Sequence, residues 1–190
     1  MRSAAKGPAR THEVRLIGGA LKRSKLPVAD RPGLRPTPDR VRETLFNWLG
    51  HDLSGWRVLD AFAGSGALGF EAASRGAAEV LLVENDGVLV TSLQASAVRL
   101  KTTAVRVQRA DALAWMARAA PAVFELVLLD PPFSSALLPA ALHAAARLVV
   151  PGGYVYAESG ETLLSAPEGL ALHRSQRAGA VHAQLFMKAP

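Results

Sequence analysis

The chain has 190 residues, of which 49% are hydrophobic and 20% charged, and it contains no cysteine. This composition fits one compact domain, and the absence of thiols excludes disulfides and thiolate metal sites. No apolar run approaches the ~18 residues of a membrane span, and the N-terminus lacks the apolar core of a secretory signal, so we expect a cytoplasmic protein with no membrane partner. The five histidines show no ligand spacing, and we predict no metal site.

The positive charge is concentrated at the start of the chain. Residues 1–43 hold 11 Lys/Arg and 4 Asp/Glu, a balance of +7, whereas residues 44–190 hold 11 and 12, a balance of −1. Two interpretations are open at this point. The segment is either a solvated tail or a face that binds a polyanion, because Lys and Arg contacts to phosphate supply much of the affinity for nucleic acids.

A tail and a hairpin are predicted first along the chain. Residues 1–12 are rich in Ala, Gly, Pro and Arg, which is typical of a disordered basic tail. The stretch VRLIGGALKRSKL (Val14–Leu26) predicts two short strands that turn at Gly18-Gly19. We treat residues 13–50 as an N-terminal extension. If the basic segment binds a nucleic acid, this extension is expected to face it.

A helix is predicted at the end of this extension. Thr37 followed by Pro38 is typical of a helix N-cap with proline in the first turn, and the helix runs to about Leu49. Its apolar stripe at helical spacing consists of Val41, Leu45, Trp48 and Leu49. Phe46 and Trp48 are interpreted as core residues rather than as base-stacking residues.

Strand-like and helix-like runs alternate from Arg57 onward. The predicted strands are 57–63, 79–84, 104–108 and 124–130, and the predicted helices are 67–75, 86–100, 111–119 and 135–146. Such alternation predicts a mostly parallel sheet with helices on both faces. Residues 169–188 predict a terminal antiparallel hairpin that turns near Gly179. The expected fold of residues 51–190 is therefore a single α/β, Rossmann-like domain.

Four carboxylates fall at or just after the ends of successive predicted strands: Asp60, Glu84, Asp111 and Asp130. Ligands of open parallel sheets bind outside the carboxyl ends of the strands, so the four side chains are expected along one cleft. Any single one of them could instead cap a helix, and Asp111 is the strongest candidate for that role.

The first of these strands leads into a glycine-rich turn, DAFAGSGALG, at residues 60–69. The pattern matches a dinucleotide fingerprint, and it equally suits S-adenosylmethionine, which has no phosphate. Glu84 can accept hydrogen bonds from ribose hydroxyls in either ligand, and Asp111 can accept from the exocyclic amine of adenine. Nicotinamide dinucleotide and S-adenosylmethionine therefore remain alternatives on these residues alone.

The fourth strand ends in Asp130, Pro131, Pro132 and Phe133. An exocyclic amine on a base is a poor nucleophile, and a site that methylates it must hold the nitrogen in line with the methyl donor. Asp130 and the carbonyl of Pro131 can accept hydrogen bonds from such an amine, because the prolines fix the direction of that carbonyl. Phe133 can stack on the base. This group favours S-adenosylmethionine, since a dinucleotide site has no need of it.

These residues carry a resemblance to a known family. The glycine turn and DPPF resemble class I S-adenosylmethionine-dependent methyltransferases of the amino-directed kind. RLIGGALKRSKL and GLRPTPDRVRETLFNWL (Gly33–Leu49) resemble the RsmD family, bacterial 16S ribosomal RNA guanine-N2 methyltransferases. The resemblance runs from about Arg15 to the end of the chain. It implies a seven-stranded sheet with a reversed terminal hairpin and an N-terminal extension.

The resemblance also implies roles for particular residues. Asp130–Phe133 would be catalytic, and the arginines and lysines of the extension would hold the RNA backbone. The S-adenosylmethionine set would be Asp60, Phe62, Gly64, Ser65, Gly66, Glu84, Asp111, Ala112 and Thr37. Arg35, Thr37 and Arg40 would lie near either the methionine carboxylate or the substrate. The RNA-binding set is Arg15, Lys22, Arg23, Lys25, Arg35, Arg40 and Arg42.

The implied substrate is 16S rRNA within an assembling small ribosomal subunit, and the family's target is guanine 966. That guanine would have to be unpaired or flipped out. We expect the protein to act as a monomer. Three alternatives stay open: adenine-N6 methylation of DNA or another RNA, a nicotinamide-dependent oxidoreductase, and an RNA-binding module without catalysis.

Overall fold

A computed structural model describes residues 12–31, 34, 36–133, 135–163 and 165–190. The predicted tail lies outside these residues except for His12, which begins the first strand. The N-terminal extension contains β1 (His12–Arg15), β2 (Lys25–Val28) and α1 (Asp39–Leu49). No helix in the described ranges is long and apolar enough to cross a membrane.

Residues 57–148 alternate between strands and helices, as predicted, and three strands follow, of which residues 149–159 were not among the predicted strands. The elements are β3 (Arg57–Asp60), α2 (Ala67–Ser74), β4 (Glu79–Glu84), α3 (Gly87–Arg99), β5 (Val105–Arg109), α4 (Ala112–Arg118), β6 (Phe124–Leu129), α5 (Leu138–Leu148), β7 (Val149–Ser159), β8 (Leu170–Ala178) and β9 (Val181–Lys188).

Seven strands form one sheet in the order β5-β4-β3-β6-β7-β9-β8. Strands β3 to β7 pair in parallel, and the terminal hairpin of β8 and β9 joins the sheet antiparallel to β7. The predicted fold class is confirmed. The chain leaves β3 toward β4 and β5 and then crosses back to β6 on the other side of β3. This reversal opens a crevice at the carboxyl ends of β3 and β6, where such folds bind ligands.

Helices cover both faces of the sheet with apolar side chains. On one face, α1, α2 and α3 contribute Leu45, Phe46, Phe70 and Leu93 to a core that includes Leu128 of β6. On the other face, α4 and α5 pack Met116, Leu142 and Leu148 against Val127 and Val155. Phe46 is fully buried and Trp48 packs against the first core, which confirms both as packing residues.

The predicted N-terminal hairpin exists, but its predicted turn is wrong. Strands β1 and β2 pair from His12 with Val28 to Arg15 with Lys25. The connection is residues 16–24, which we call the basic loop, rather than a tight turn at Gly18-Gly19. Gly18 and Gly19 belong to the part of this loop that folds back onto α2. Next to them, the amide of Ala20 donates to the carbonyl of Ser74 at 2.7 Å.

The predicted N-cap of α1 is also wrong. The helix begins at Asp39, the residue before it is Pro38, and no side chain caps its first turn. The Thr37 hydroxyl instead donates to the Asp130 carboxylate, with 3.3 Å between Oγ1 and Oδ2. A hydrogen bond to a carboxylate is stronger than one to a neutral acceptor, and both groups lie near the same crevice.

Candidate functional site

The four predicted carboxylates occupy the carboxyl edge of the parallel strands. Asp60 ends β3, Glu84 ends β4, Asp111 follows β5 by two residues and Asp130 follows β6 directly. Their predicted placement at strand ends is confirmed. The crevice between β3 and β6 brings Asp60 and Asp130 close enough for their charges to interact.

Asp60 lies at the base of the crevice and is only 1% exposed. Its Oδ2 accepts from the amide of Gly69 in the first turn of α2, at 3.0 Å. Its Oδ1 has no hydrogen-bond partner among the described residues. Burial, followed by the charge of Asp130, raises the pKa of Asp60 to about 7, and Glu84 acts in the same direction.

Glu84 organises the backbone of the glycine turn. Its Oε2 accepts from the amide of Gly64 at 2.9 Å, while Oε1 accepts from Asn85 at 2.8 Å and Asp86 at 2.9 Å. An ionised carboxylate offers about four acceptor sites, so capacity remains for a ligand hydroxyl. The predicted contact with ribose therefore stays a prediction that the geometry permits.

The glycine turn is closely packed at its last residue. Gly66 has φ +79°, and a Cβ there would lie 2.6 Å from Leu93 and 2.7 Å from Phe70. Only glycine fits, because the backbone of the turn packs directly against the side chains of Leu93 and Phe70. Ser65 and Phe62 are half-buried beside it.

Asp111 acts as a helix cap in this structure. Its Oδ1 accepts from the amide of Ala114 at 2.8 Å, at the start of α4. The helix-capping role that the sequence left open for Asp111 is thus observed. Asp111 is exposed and Ala112 is buried. The contact of Asp111 with the adenine amine remains a prediction, for its second carboxylate oxygen, and so does the place of Ala112 in the cofactor site.

The DPPF segment divides between buried and exposed parts. Asp130 is half-buried and bonded to Thr37, and Pro131 is buried. Burial raises the pKa of Asp130, while the Thr37 hydroxyl opposes that rise. Pro132 is exposed, and Phe133 is 49% exposed rather than part of the core. An aromatic ring left open beside a carboxylate is available for stacking.

Two residues of this site were missed in the sequence. Glu158 and Tyr156 lie on β7, whose Ala157 pairs with Leu129, so Glu158 stands level with Asp130. Tyr156 is fully buried and donates to Glu158 Oε1 at 3.0 Å. Burial and the charge of Asp130 raise the pKa of Glu158. The rule of one carboxylate at each strand end would have found Glu158 if it had been extended to this strand.

Five of the predicted RNA-binding residues are exposed, and one is not. The exposed ones are Arg15, Lys22, Arg23, Lys25 and Arg40.

The prediction for Arg42 is wrong. Its side chain is fully buried and donates to Asp39 at 2.6 Å, to Glu71 at 3.4 Å and to the carbonyl of Arg15 at 2.9 Å. A guanidinium committed to internal acceptors offers no phosphate contact. Arg35 lies outside the described residues.

The crevice fits a cationic ligand better than a phosphate. Burial, followed by the charge of Asp130, raises the pKa of Asp60 and of Glu158, so the base of the crevice disfavours further negative charge. The ammonium group of a methyl donor such as S-adenosylmethionine would bring positive charge and a hydrogen-bond donor for Asp60 Oδ1, which has no partner among the described residues. In a dinucleotide site the phosphate lies at the amides that begin the helix, and Asp60 already occupies the amide of Gly69.

Together, the sheet order, the glycine turn and the acidic crevice define an α/β methyltransferase fold. The family model described as "Conserved hypothetical protein 95" matches residues 14–187. This model and the relatives named below show that the chain belongs to the RsmD family.

Named relatives and solved structures support this membership. Ribosomal RNA small subunit methyltransferase D of Escherichia coli (strain K12) is 40% identical over 184 residues, 93% of this chain and 90% of that protein. The protein of the same name from Haemophilus influenzae is 36% identical over 92% of this chain and 93% of its own length. The solved structure of the methyltransferase yhhF from Escherichia coli has a TM-score of 0.83 at 38% identity, covering 94% of this chain and 99% of that one.

We expect Asp60 to make the ligand-free protein less stable as pH rises. In the unfolded chain this carboxyl has its ordinary pKa of 3.8, whereas in the folded protein the pKa is about 7. The folded state therefore holds more protons than the unfolded state between these values. The contribution of Asp60 to the free energy of unfolding is complete below about pH 4 and is lost by about pH 7. Between these values the free energy of unfolding falls by at most ~1.4 kcal/mol per pH unit.

Asp60→Asn tests this dependence, because the amide is neutral in both states and can still accept from Gly69. Urea unfolding of both proteins at pH 5 and pH 8 should show the variant gaining relative stability at the higher pH. Parallel free energies of unfolding across that range would contradict the prediction.

Proposed function

We propose that this chain transfers a methyl group from S-adenosylmethionine to the exocyclic N2 of a guanine in 16S rRNA of the small ribosomal subunit, with guanine 966 as the target. The observation that carries the proposal is Asp130, which follows β6 at the mouth of the acidic crevice, is held by Thr37 and has the exposed ring of Phe133 nearby. The substrate class is supported by the relatives' name, ribosomal RNA small subunit methyltransferase D.

The residues of the crevice divide the work between the two substrates. Asp60, Glu84 and Asp111, with the turn at Phe62, Gly64, Ser65 and Gly66 and with Ala112, would hold the methyl donor. When bound, S-adenosylmethionine supplies a methyl group activated by positive sulfur. The other side of the crevice then has only to present the amine.

Asp130 serves as acceptor for the target amine. Its carboxylate would accept a hydrogen bond from an N2–H, which orients the nitrogen lone pair and stabilises the positive charge that develops on N2 as the new bond forms. The bond from the methyl carbon to sulfur breaks as the bond to N2 forms, and the proton that leaves N2 with or after the transfer would pass to the Asp130 carboxylate, which accepts its hydrogen bond. Stacking on Phe133 would hold the extruded base, at roughly 1–3 kcal/mol by analogy with other base–aromatic contacts. Positioning by these residues supplies much of the rate enhancement.

Nucleoside analysis tests the proposal directly. The purified protein is incubated with S-adenosylmethionine carrying a labelled methyl group and with either free 16S rRNA or small-subunit particles from cells that lack this protein. N2-methylguanosine should appear at the target position. Label in N6-methyladenine would instead establish the adenine-directed alternative. Comparison of the two substrates shows whether the assembled particle is required.

The exposed cations of the extension are expected to contact RNA phosphates. Replacing Lys22, Arg23 and Lys25 together with glutamine should weaken RNA binding and flatten the dependence of log Kd on log salt by about 0.7 to 1 for each phosphate that is no longer bound. Filter binding over a range of salt concentrations measures both. A salt slope equal to that of the unaltered protein would show that these three side chains face away from the RNA.

A further inference from the structure

We propose that Glu71 and Ser74 of α2 are positioning residues that dock the basic loop (residues 16–24) onto the helix of the methyl-donor site, so that the RNA-binding and donor-binding surfaces form one rigid unit. The proposal rests on the proposed function, because it assigns the loop to RNA. It concerns residues that touch neither substrate.

Glu71 holds the backbone of the loop. Its side chain is fully buried, and its two oxygens accept from consecutive amides: Oε2 from Ile17 at 2.9 Å and Oε1 from Gly18 at 2.8 Å. One ionised carboxylate thus fixes two adjacent peptide units. Hydrogen bonds to a charged acceptor are about twice as strong as neutral ones.

Two arginines balance the charge of Glu71 and extend the contact. Arg75 lies 3.0 Å from Oε1 and Arg42 lies 3.4 Å from Oε2. Arg42 also donates to the carbonyls of Arg15 and Thr37, at 2.9 and 3.3 Å. The same buried network therefore joins the start of the basic loop to Thr37, which contacts Asp130. Removing one partner from a buried ion-pair network strongly lowers the free energy of unfolding, because it leaves a buried charge uncompensated. The remaining groups are therefore held in one arrangement.

Ser74 fixes the second half of the loop. Its Oγ accepts from the amide of Leu21 at 2.9 Å and donates to the carbonyl of Gly18. Between these residues, Gly19 has φ +73°, and a Cβ at this position would lie 1.7 Å from the carbonyl oxygen of Ser74. Only glycine permits this approach.

The docking leaves the cationic side chains free for RNA. Lys22 and Arg23 are exposed, and the contacts that hold the loop use its backbone. Helix α2 begins at Ala67, directly after the glycine turn, so the two surfaces share one helix. Ordering a flexible loop costs conformational entropy, and a loop ordered during folding does not incur that cost when RNA binds.

Gly19→Ala tests the proposal, with Gly152→Ala as the matched control. Gly152 has a similar φ of +75°, and a Cβ there meets nothing within 4 Å. Both variants place a side chain at nearly the same positive φ, but only the first meets the carbonyl of Ser74 and pushes the loop off that residue. We expect Gly19→Ala to raise the Kd and KM for rRNA at least tenfold. Its kcat at saturating rRNA and its Kd for S-adenosylhomocysteine should stay within twofold of the unaltered protein, and the control should change none of these.

Glu71→Gln and Ser74→Ala test the two positioning residues directly, and Ser74→Ala gives the readout if Gly19→Ala does not fold. Each should raise the Kd for rRNA while leaving binding of S-adenosylhomocysteine intact. Folded variants with unaltered rRNA affinity would overturn the inference, as would an equal loss of affinity for both ligands, which indicates a general structural role. The proposed function fails separately, if the unaltered protein does not methylate rRNA.

Discussion

Asp130→Ala is expected to lower kcat by at least ~100-fold while the Kd for S-adenosylhomocysteine changes less than about threefold. The carboxylate is the acceptor for the target amine, and the residues assigned to the donor lie chiefly on β3, β4 and β5 and the turns that follow them. Loss of the acceptor leaves the nitrogen misoriented and its developing charge without a stabilising partner. Single-turnover assays with labelled donor measure the rate, and calorimetry measures the affinity.

Asp130→Asn is the matched control for that result. Its amide oxygen can still accept one hydrogen bond and receive the Thr37 hydroxyl, so it should retain more activity than the alanine variant. Equal activities of Asp130→Ala and the unaltered protein would rule out the acceptor role. A large loss of donor affinity in Asp130→Ala would show that the residue belongs to the other subsite.

Arg42→Ala is expected to destabilise the fold by ~3–5 kcal/mol, because it removes one partner of a buried ion-pair network. The change leaves Arg75 as the one cationic partner of Glu71 among the described residues and removes donors from the carbonyls of Arg15 and Thr37. Urea denaturation measures the decrease in the free energy of unfolding.

Arg40→Ala provides the comparison, since Arg40 is exposed on the same helix. Its free energy of unfolding should change by no more than ~0.5 kcal/mol, and its rRNA affinity should fall. A stable Arg42→Ala protein with weakened RNA binding would restore the sequence-based assignment of Arg42 to the RNA surface.

The sequence predicted the elements of the sheet closely because their signals are local. The run at 124–129 is almost entirely apolar, as expected for a strand buried on both faces, and it became β6. The carboxylates follow from the same pattern, since a polar residue directly after a buried strand must lie at the edge of the sheet. Placement of Asp60, Glu84, Asp111 and Asp130 on one rim therefore needed no tertiary information.

The partners of individual side chains were decided by the tertiary structure alone. Thr37 and Asp130 are 93 residues apart, and Ile17 and Glu71 are 54 apart. Periodicity shows which face a residue takes, but it does not show which distant group meets it there. Thr37 was therefore assigned to a helix cap, and Arg42 to RNA.

The sequence by itself thus determined the order of strands and helices between residues 57 and 148, the acidic rim and the cationic extension, because periodicity, residue type and spacing along the chain encode them. Only the tertiary structure decided that Gly18-Gly19 docks on α2, that Arg42 is internal and that Glu158 joins the crevice. The physical reason is that packing brings distant segments together, and a buried polar group takes whichever partner that packing supplies.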